Sequence, residues 1–479
     1  MPSLKHRTTK SSIYSLFAKG FQTIINLVRT IVLARIISID DFGVYAFLLS
    51  IVTITIALPN SVLSGSFLHR APESSGEVGI NTHFTLNLIL TTIWAISLSG
   101  LTFLFSERVN SPYYLVLIWS IFFQELANTH KLLLTKHVLF KRIALIQIIT
   151  ALATTSIAIF LAYQDFGIWS LISINIVSAF LALLFYTAIW PLTRVKISWH
   201  LTSIKYYFNF GSRTFVAGTL GVVLDRVDDL WTGYVLGSTP LGLYSKAYEL
   251  ATYPRKLMAV PLNSVAAATY AELKGQRTEL TQAFVGFNTI LIRMGFVSSG
   301  LLMILAPEFI TLLLGEQWLP MLTTFRLMLI FMMLDPIKIT IASVLVASGK
   351  PEQVGYARAI QLIVLIGGLI ILGPRWGIVG VALTVDIMLF IGITLLLFYA
   401  FQHVDFSLKQ LFLVPLLGMF LGFFFSVSFS LLTMSNQILF AIGKGSAFLL
   451  GYIVITLGLE KKLVIEFFKY IQAQLKNKN

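Results

Sequence analysis

The feature that most constrains this chain is the recurrence of unbroken apolar runs separated by short polar breaks. Read as one element each, the runs number about fourteen, and at about 17–29 residues each could cross a hydrocarbon core of roughly 30 Å as a helix. They fall near 12–37, 42–68, 82–105, 112–135, 143–163, 166–190, 210–236, 243–266, 284–305, 319–347, 356–372, 378–401, 411–432 and 438–459. In lipid every backbone N–H and C=O must be paired within the chain, which leaves helical bundles and closed barrels. Continuous runs, rather than alternating ten-residue segments, select helices. An all-α integral membrane protein is therefore expected. Composition agrees, because only 12% of the 479 residues are charged, against about 25% in a soluble domain.

The net charge of +14 would suggest nucleic acid on a soluble protein. Here the basic residues cluster in alternate short loops: Lys5, Arg7 and Lys10; Arg70; Lys136, Lys141 and Arg142; Arg194, Lys196 and Lys205; Lys274 and Arg277; Lys350 and Arg358; Lys409; and the tail from Lys461 to Lys478. The other loops hold little beyond Arg108 and Arg375. Such a bias is topogenic. It places both termini in the cytoplasm and gives no reason to expect a nucleic-acid partner. The first apolar run is too long for a signal-peptide core and is read as a retained span. The tail reads as a basic amphipathic helix on the anionic inner leaflet, so membrane lipids are expected partners. Without cysteine, disulfides, thiolate catalysis and cysteine–metal sites are excluded.

Two short passages repeat. Asp41-Phe42-Gly43-Val44-Tyr45-Ala46 is echoed by Pro240-Leu241-Gly242-Leu243-Tyr244-Ser245, about 199 residues on. Asp165-Phe166-Gly167-Ile168-Trp169 is echoed by Arg375-Trp376-Gly377-Ile378-Val379, about 210 residues on. Shared spacing of this kind marks duplicated halves. The expected organisation is a cytoplasmic tail over 1–10, a six-helix bundle over 11–190 and a linker over 191–205. A second six-helix bundle covers 206–402, two further helices 409–459, and a basic cytoplasmic tail 460–479. Six spans per half is even, so the bundles should be parallel, with a cavity between them.

Ionisable side chains within spans cost about 2.5–3.5 kcal/mol each on insertion scales and usually face protein or water. The first span carries Lys19, Arg29 and Arg35, the fourth Glu125 and Lys131, and the seventh Arg213, Asp225, Arg226, Asp228 and Asp229. Lys246, Glu249, Arg293, Arg326, Asp335, Lys338 and Asp386 follow. Asp225 and Asp229 share a helical face, as do Gln22, Asn26 and Arg29. A cationic cavity would attract a large anion such as a diphosphate. Arg29, Arg213, Arg226 and Arg293 are the candidate substrate contacts, with Asp225, Asp228 and Asp229 as gating acids. Arg35, Lys246 and Arg255 read as reaching to an interface, and Asp335 with Lys338 as a structural pair. The seven His residues show no ligand spacing. No phosphate loop, nucleophile elbow or zinc-protease motif is present, so neither enzyme chemistry nor a cofactor is expected. Asp225-x-x-Asp228-Asp229 is a single acidic motif among arginines, a poor fit to magnesium-dependent prenyl transfer.

Four passages resemble the polysaccharide-exporter branch of the multidrug/oligosaccharidyl-lipid/polysaccharide flippase superfamily. They are Leu33-Ala34-Arg35-Ile36-Ile37-Ser38 leading into Asp41-Phe42-Gly43-Val44-Tyr45; Asp228 through Gly237 with Leu241-Gly242-Leu243-Tyr244; Leu314-Gly315-Glu316-Gln317-Trp318; and Gly349-Lys350-Pro351. The resemblance covers nearly the whole chain. It implies a flippase, of the kind that exports O-antigen, moving an undecaprenyl-diphosphate-linked oligosaccharide from the inner to the outer leaflet of the cytoplasmic membrane by alternating access. It further implies work alongside a polysaccharide polymerase and a chain-length regulator. Arg29 matches a basic position in the first span of related peptidoglycan-precursor flippases, although Thr30 rather than an acid follows it here. A drug/cation antiporter of the same superfamily, a peptidoglycan-precursor flippase and a membrane enzyme are the alternative readings.

Overall fold

In the computed structural model the backbone is described over residues 4–70, 76–104, 111–432 and 436–476, and side chains over the same residues except 4–16, 103–104, 111, 213–214, 216–217 and 461–476. Helices account for nearly all of it. They are α1 (Leu4–Ile36), α2 (Ile39–His69), α3 (Glu77–Leu104), α4 (Ser111–Leu126), α5 (Asn128–Lys136), α6 (Phe140–Tyr163), α7 (Ile168–Leu183) and α8 (Leu201–Leu224). There follow α9 (Val227–Val235), α10 (Ser238–Ala251), α11 (Val260–Glu272), α12 (Arg277–Leu313), α13 (Leu322–Ala347), α14 (Pro351–Ala400), α15 (Leu408–Ser430) and α16 (Gln437–Lys476).

Among the described residues, nine helices are long and apolar enough to cross a membrane. The expected spans depart from that set where the sequence puts polar groups inside them. The fourth breaks at Ala127 into α4 and α5. The seventh, expected as one helix, breaks at Asp225-Arg226 into α8 and α9, with Arg226 at φ −139°. Three carboxylates within five residues favour a helix start over a helix interior, and Asp228 and Asp229 fall in the first turn of α9, where the positive end of the helix dipole favours them. The eighth breaks around a wide π turn, Arg255–Ala259, between α10 and α11. The expected eleventh and twelfth spans run together as α14, kinked at Gly377. A second kink, at Glu460, separates the last span from the basic tail.

The chain forms two compact units. The first comprises Met1–Lys246 and Leu365–Val381. In it α1 packs on α6 and α2 on α8, while α2, α3, α4 and α7 enclose a core of Leu48, Val52, Trp94, Leu117, Ile118 and Ile172. The second comprises Ala247–Val364 and Ala382–Asn479. Here α12 packs on α13 and α15 on α16, around Tyr270, Phe284, Ile292, Phe296, Ile341 and Phe448.

Both repeated passages recur as repeated structure. Gly167 and Gly377 adopt nearly the same backbone conformation, φ 51°, ψ −125° and φ 56°, ψ −138°. Side chains strongly disfavour this region, which explains glycine at both sites. Gly43 and Gly242 interlock: a Cβ on Gly43 would strike the carbonyl of Ser238, and one on Gly242 the carbonyl of Ile39. Glycine therefore lets the starts of α2 and α10 approach backbone to backbone. There the Asp40 carboxylate accepts hydrogen bonds from the hydroxyls of Ser238 and Thr239.

Candidate functional site

Within the first unit, the break at Ala127 turns the end of α4 and the start of α5 toward α1, α6 and α7. The result is a cavity of about 370 Å³ walled largely by polar side chains, among them Gln22, Gln124, Glu125, Asn128, Lys131, Gln147, Thr150, Ser178 and Tyr186. Polar walls inside an apolar bundle mark a solute path rather than a packing fault. Gln22 and Arg29 lie on one stripe of α1, and Gln147 and Thr154 on one stripe of α6. Arg29 Nη1 donates to Thr154 Oγ1 at 3.2 Å, and Thr154 in turn donates to the carbonyl of Thr150 on the cavity wall, 2.8 Å away. A guanidinium carries five donors, and that bond is the one Arg29 makes to a described protein group.

Amides hold Glu125 in place. Its Oε1 accepts from Asn60 Nδ2 and its Oε2 from Asn128 Nδ2, both at 3.0 Å. The broken helix end also leaves its carbonyl open, and Asn87 Nδ2 donates to it at 2.7 Å.

The α8–α9 break gathers a second cluster in the same unit. Arg226 Nη1 pairs with Asp229 Oδ2 at 3.0 Å. Tyr244 donates to Asp228 Oδ2 at 2.5 Å, and the backbone N–H of Asp229 to Asp228 Oδ1 at 3.0 Å. Asp228, Asp229 and Tyr244 are buried. The side chain of Arg213 lies outside the described residues.

Arg293 belongs to the second unit. Its Nε lies 2.6 Å from Glu460 Oε2, its Nη2 pairs with Oε1, and its Nη1 donates to the Thr289 carbonyl at 2.9 Å. Asp335 does pair with Lys338, at 2.8 Å. Arg255 does not reach for an interface as expected; its Nη1 lies 2.5 Å from Asp335 Oδ2. Lys246 is buried, its ammonium 4.0 Å from the centre of the Phe42 ring. In both cases a buried partner satisfies the charge more readily than a stretch to water.

Of the amides on the cavity wall the sequence pattern singles out Gln22, while a weighting by formal charge passes over those of α2 to α6. Gln124, Asn128 and Gln147 stand on the cavity wall, and Asn60, Asn87 and Asn128 hold Glu125. The spacing of Gln124, Asn128 and Lys131 along one helical face was the available signal.

The fold is shared with solved membrane transporters. The lipid II flippase MurJ in its inward closed conformation superposes with a TM-score of 0.76 at 18% identity, covering 94% of this chain and 100% of that one. A multidrug resistance MATE family transporter of the MOP superfamily, in its inward-facing conformation, gives 0.63 at 16% identity, covering 82% and 98%. The chain is thus a polytopic helical membrane protein of transporter architecture. Residues 32–323 match the family described as polysaccharide biosynthesis protein, and the chain belongs to that family. It is 22% identical over 386 residues to the lipopolysaccharide biosynthesis protein WzxC of Escherichia coli K12, covering 80% of this chain and 78% of that protein. It is 24% identical over 329 residues to the succinoglycan biosynthesis transport protein ExoT of Rhizobium meliloti, covering 66% and 65%.

Proposed function

We propose that the chain is a flippase for lipid-linked oligosaccharides, carrying an undecaprenyl-diphosphate-linked glycan from the inner to the outer leaflet of the bacterial cytoplasmic membrane by alternating access. Family membership over residues 32–323 supports the substrate class. The observation that carries the reading to this chain's own residues is Arg29, a guanidinium inside a span whose single described protein hydrogen bond goes to Thr154, one turn along α6 from Thr150 on the wall of the polar cavity. Such a group is set to take a phosphate oxygen.

Arg29, Arg213, Arg226 and Arg293 are the proposed anion contacts. Arg226 and Arg293 would exchange Asp229 and Glu460 for substrate oxygens, so the pairs seen here are one state of a cycle. Asp225, Asp228 and Asp229 would take the cations back after release. The proposed organisation keeps bundles over 11–190 and 206–402, with both termini in the cytoplasm. A polymerase and a chain-length regulator would act downstream on the delivered glycan.

The test is complementation in a strain that lacks its own polysaccharide flippase and makes the matching lipid-linked glycan. Wild-type protein should restore surface polysaccharide, and Arg29→Gln combined with Arg226→Gln should abolish it at equal membrane levels. Undiminished surface polysaccharide with the double variant overturns the reading.

A further inference from the structure

The cavity of the first unit holds a carboxylate that the proposed anion cycle does not use. The buried carboxylates of Asp229 and Asp335 and the part-buried ones of Glu308 and Glu460 each touch a cation. Asp228 and Asp386 are buried without an ion pair among the described residues, but neither lines this cavity; Glu125 does. It is held by two neutral amides, Asn60 and Asn128, each at 3.0 Å, and has no ion pair among the described residues. Glu125 and Asn128 line the cavity, whereas Asn60 stands behind the carboxylate on α2.

A salt-bridged acid satisfies one charge state. An amide cradle can satisfy both, because an amide carries donors and an acceptor. As a carboxylate, Glu125 accepts two N–H bonds. As an acid it has one O–H to donate, and Asn60 Oδ1 is buried with no hydrogen-bond partner among the described residues. A half-turn of the Asn60 amide brings that oxygen to the protonated carboxyl. Lys131 and Tyr186 are the titratable groups that share the cavity. From α2 and α3 come the neutral Asn60 and Asn87, and from α1 and α6 Gln22, Gln147 and Thr150. His130 on α5 packs edge-on against Phe84.

We propose that Glu125 is a proton-binding site through which the proton gradient drives this transporter. A proton from bulk water crosses the cavity and forms an O–H bond on a Glu125 oxygen, and the Asn60 amide turns to accept it. When the cavity faces the other side the O–H bond breaks and the proton returns to water, so charge and atoms balance over a cycle. This inference rests on the transport reading of the same unit.

The test uses the whole protein in lipid nanodiscs, with protons as the ligand and infrared detection of the protonated carboxyl band across pH. A titrating band that Glu125→Gln removes supports the site. Asn60→Leu, which deletes a donor to the charged form, should raise the midpoint by about one pH unit, a tenfold gain in proton affinity. Glu125→Asp should keep a titrating band and serves if the glutamine variant fails to fold. In cells, glycan display by the wild type should fall when an ionophore collapses the proton gradient, and display by Glu125→Gln should be low and insensitive. The proposal is overturned if Glu125→Gln leaves the band unchanged, if sodium rather than pH moves it, or if that variant displays glycan with wild-type gradient sensitivity. Wild-type protein that titrates but displays no glycan supports the proton site and overturns the transport reading alone.

Discussion

Replacing Arg293 alone should destabilise the second unit far more than replacing Arg293 and Glu460 together. Both side chains are 12% exposed and meet through two parallel hydrogen bonds. Arg293→Gln leaves the Glu460 carboxylate buried without a countercharge, at a cost of about 3–5 kcal/mol. Arg293→Met with Glu460→Gln removes the uncompensated charge and should recover most of that cost. At about 2–4 °C per kcal/mol for a cooperative unit of roughly 200 residues, the single variant should melt roughly 6–20 °C below wild type. The assay is thermal unfolding of the detergent-purified protein, read as loss of the monodisperse peak in size exclusion. A single variant melting within a degree or two of wild type refutes the reasoning, as does a double variant no more stable than the single. Glycan display by the same variants separates the two roles of Arg293: stability regained without display means that it also contacts the anion.

Three further outcomes follow from the geometry. Gly167→Ala and Gly377→Ala should each cost about 1–3 kcal/mol, because both duplicated turns hold a conformation that side chains avoid; similar losses in thermal stability would match their similar backbone angles. Tyr244→Phe should cost about 1–3 kcal/mol by stripping buried Asp228 of its hydroxyl donor, visible as a lowered melting temperature that Asp228→Asn in the same chain partly restores. The Arg277 guanidinium, bonded to Asp405 at 3.0 and 2.8 Å, holds that exposed carboxyl below its usual range. A depressed carboxyl stabilises the fold above its unfolded value, about 3.9, and loses that contribution as pH falls through its lower folded value. The acid limb of the stability profile should therefore shift toward higher pH in Arg277→Gln, and high salt should shrink the difference.

Much of the architecture was legible because lipid admits few solutions. Apolar runs of spanning length had to be helices, and the repeated Gly43/Gly242 and Gly167/Gly377 passages reappear as an interlock and as matched turns. The breaks were less legible. Hydropathy averages over Ala127 and over Asp225-Arg226, where helix ends are set by local hydrogen bonding and the placement of carboxylates rather than by mean apolarity. Charge alone flagged Arg29 and Glu125 but could not say that one meets a threonine and the other two asparagines. Those partners come from helices far apart in sequence, so their meeting is a property of packing. The destination of Arg255 was misread for the same reason, since its carboxylate lies eighty residues further along the chain.

Direct observation of flipping tests the central claim. Vesicles holding the purified protein and a polyprenyl-diphosphate-linked glycan in one leaflet would be probed on the other side with a membrane-impermeant glycosidase. Wild-type protein should expose the glycan well above protein-free vesicles. Arg29→Gln with Arg226→Gln should slow exposure by on the order of tenfold or more, the value of a lost charge-assisted hydrogen bond. Exposure no faster than in empty vesicles, or equal rates for wild type and variant, would contradict the account.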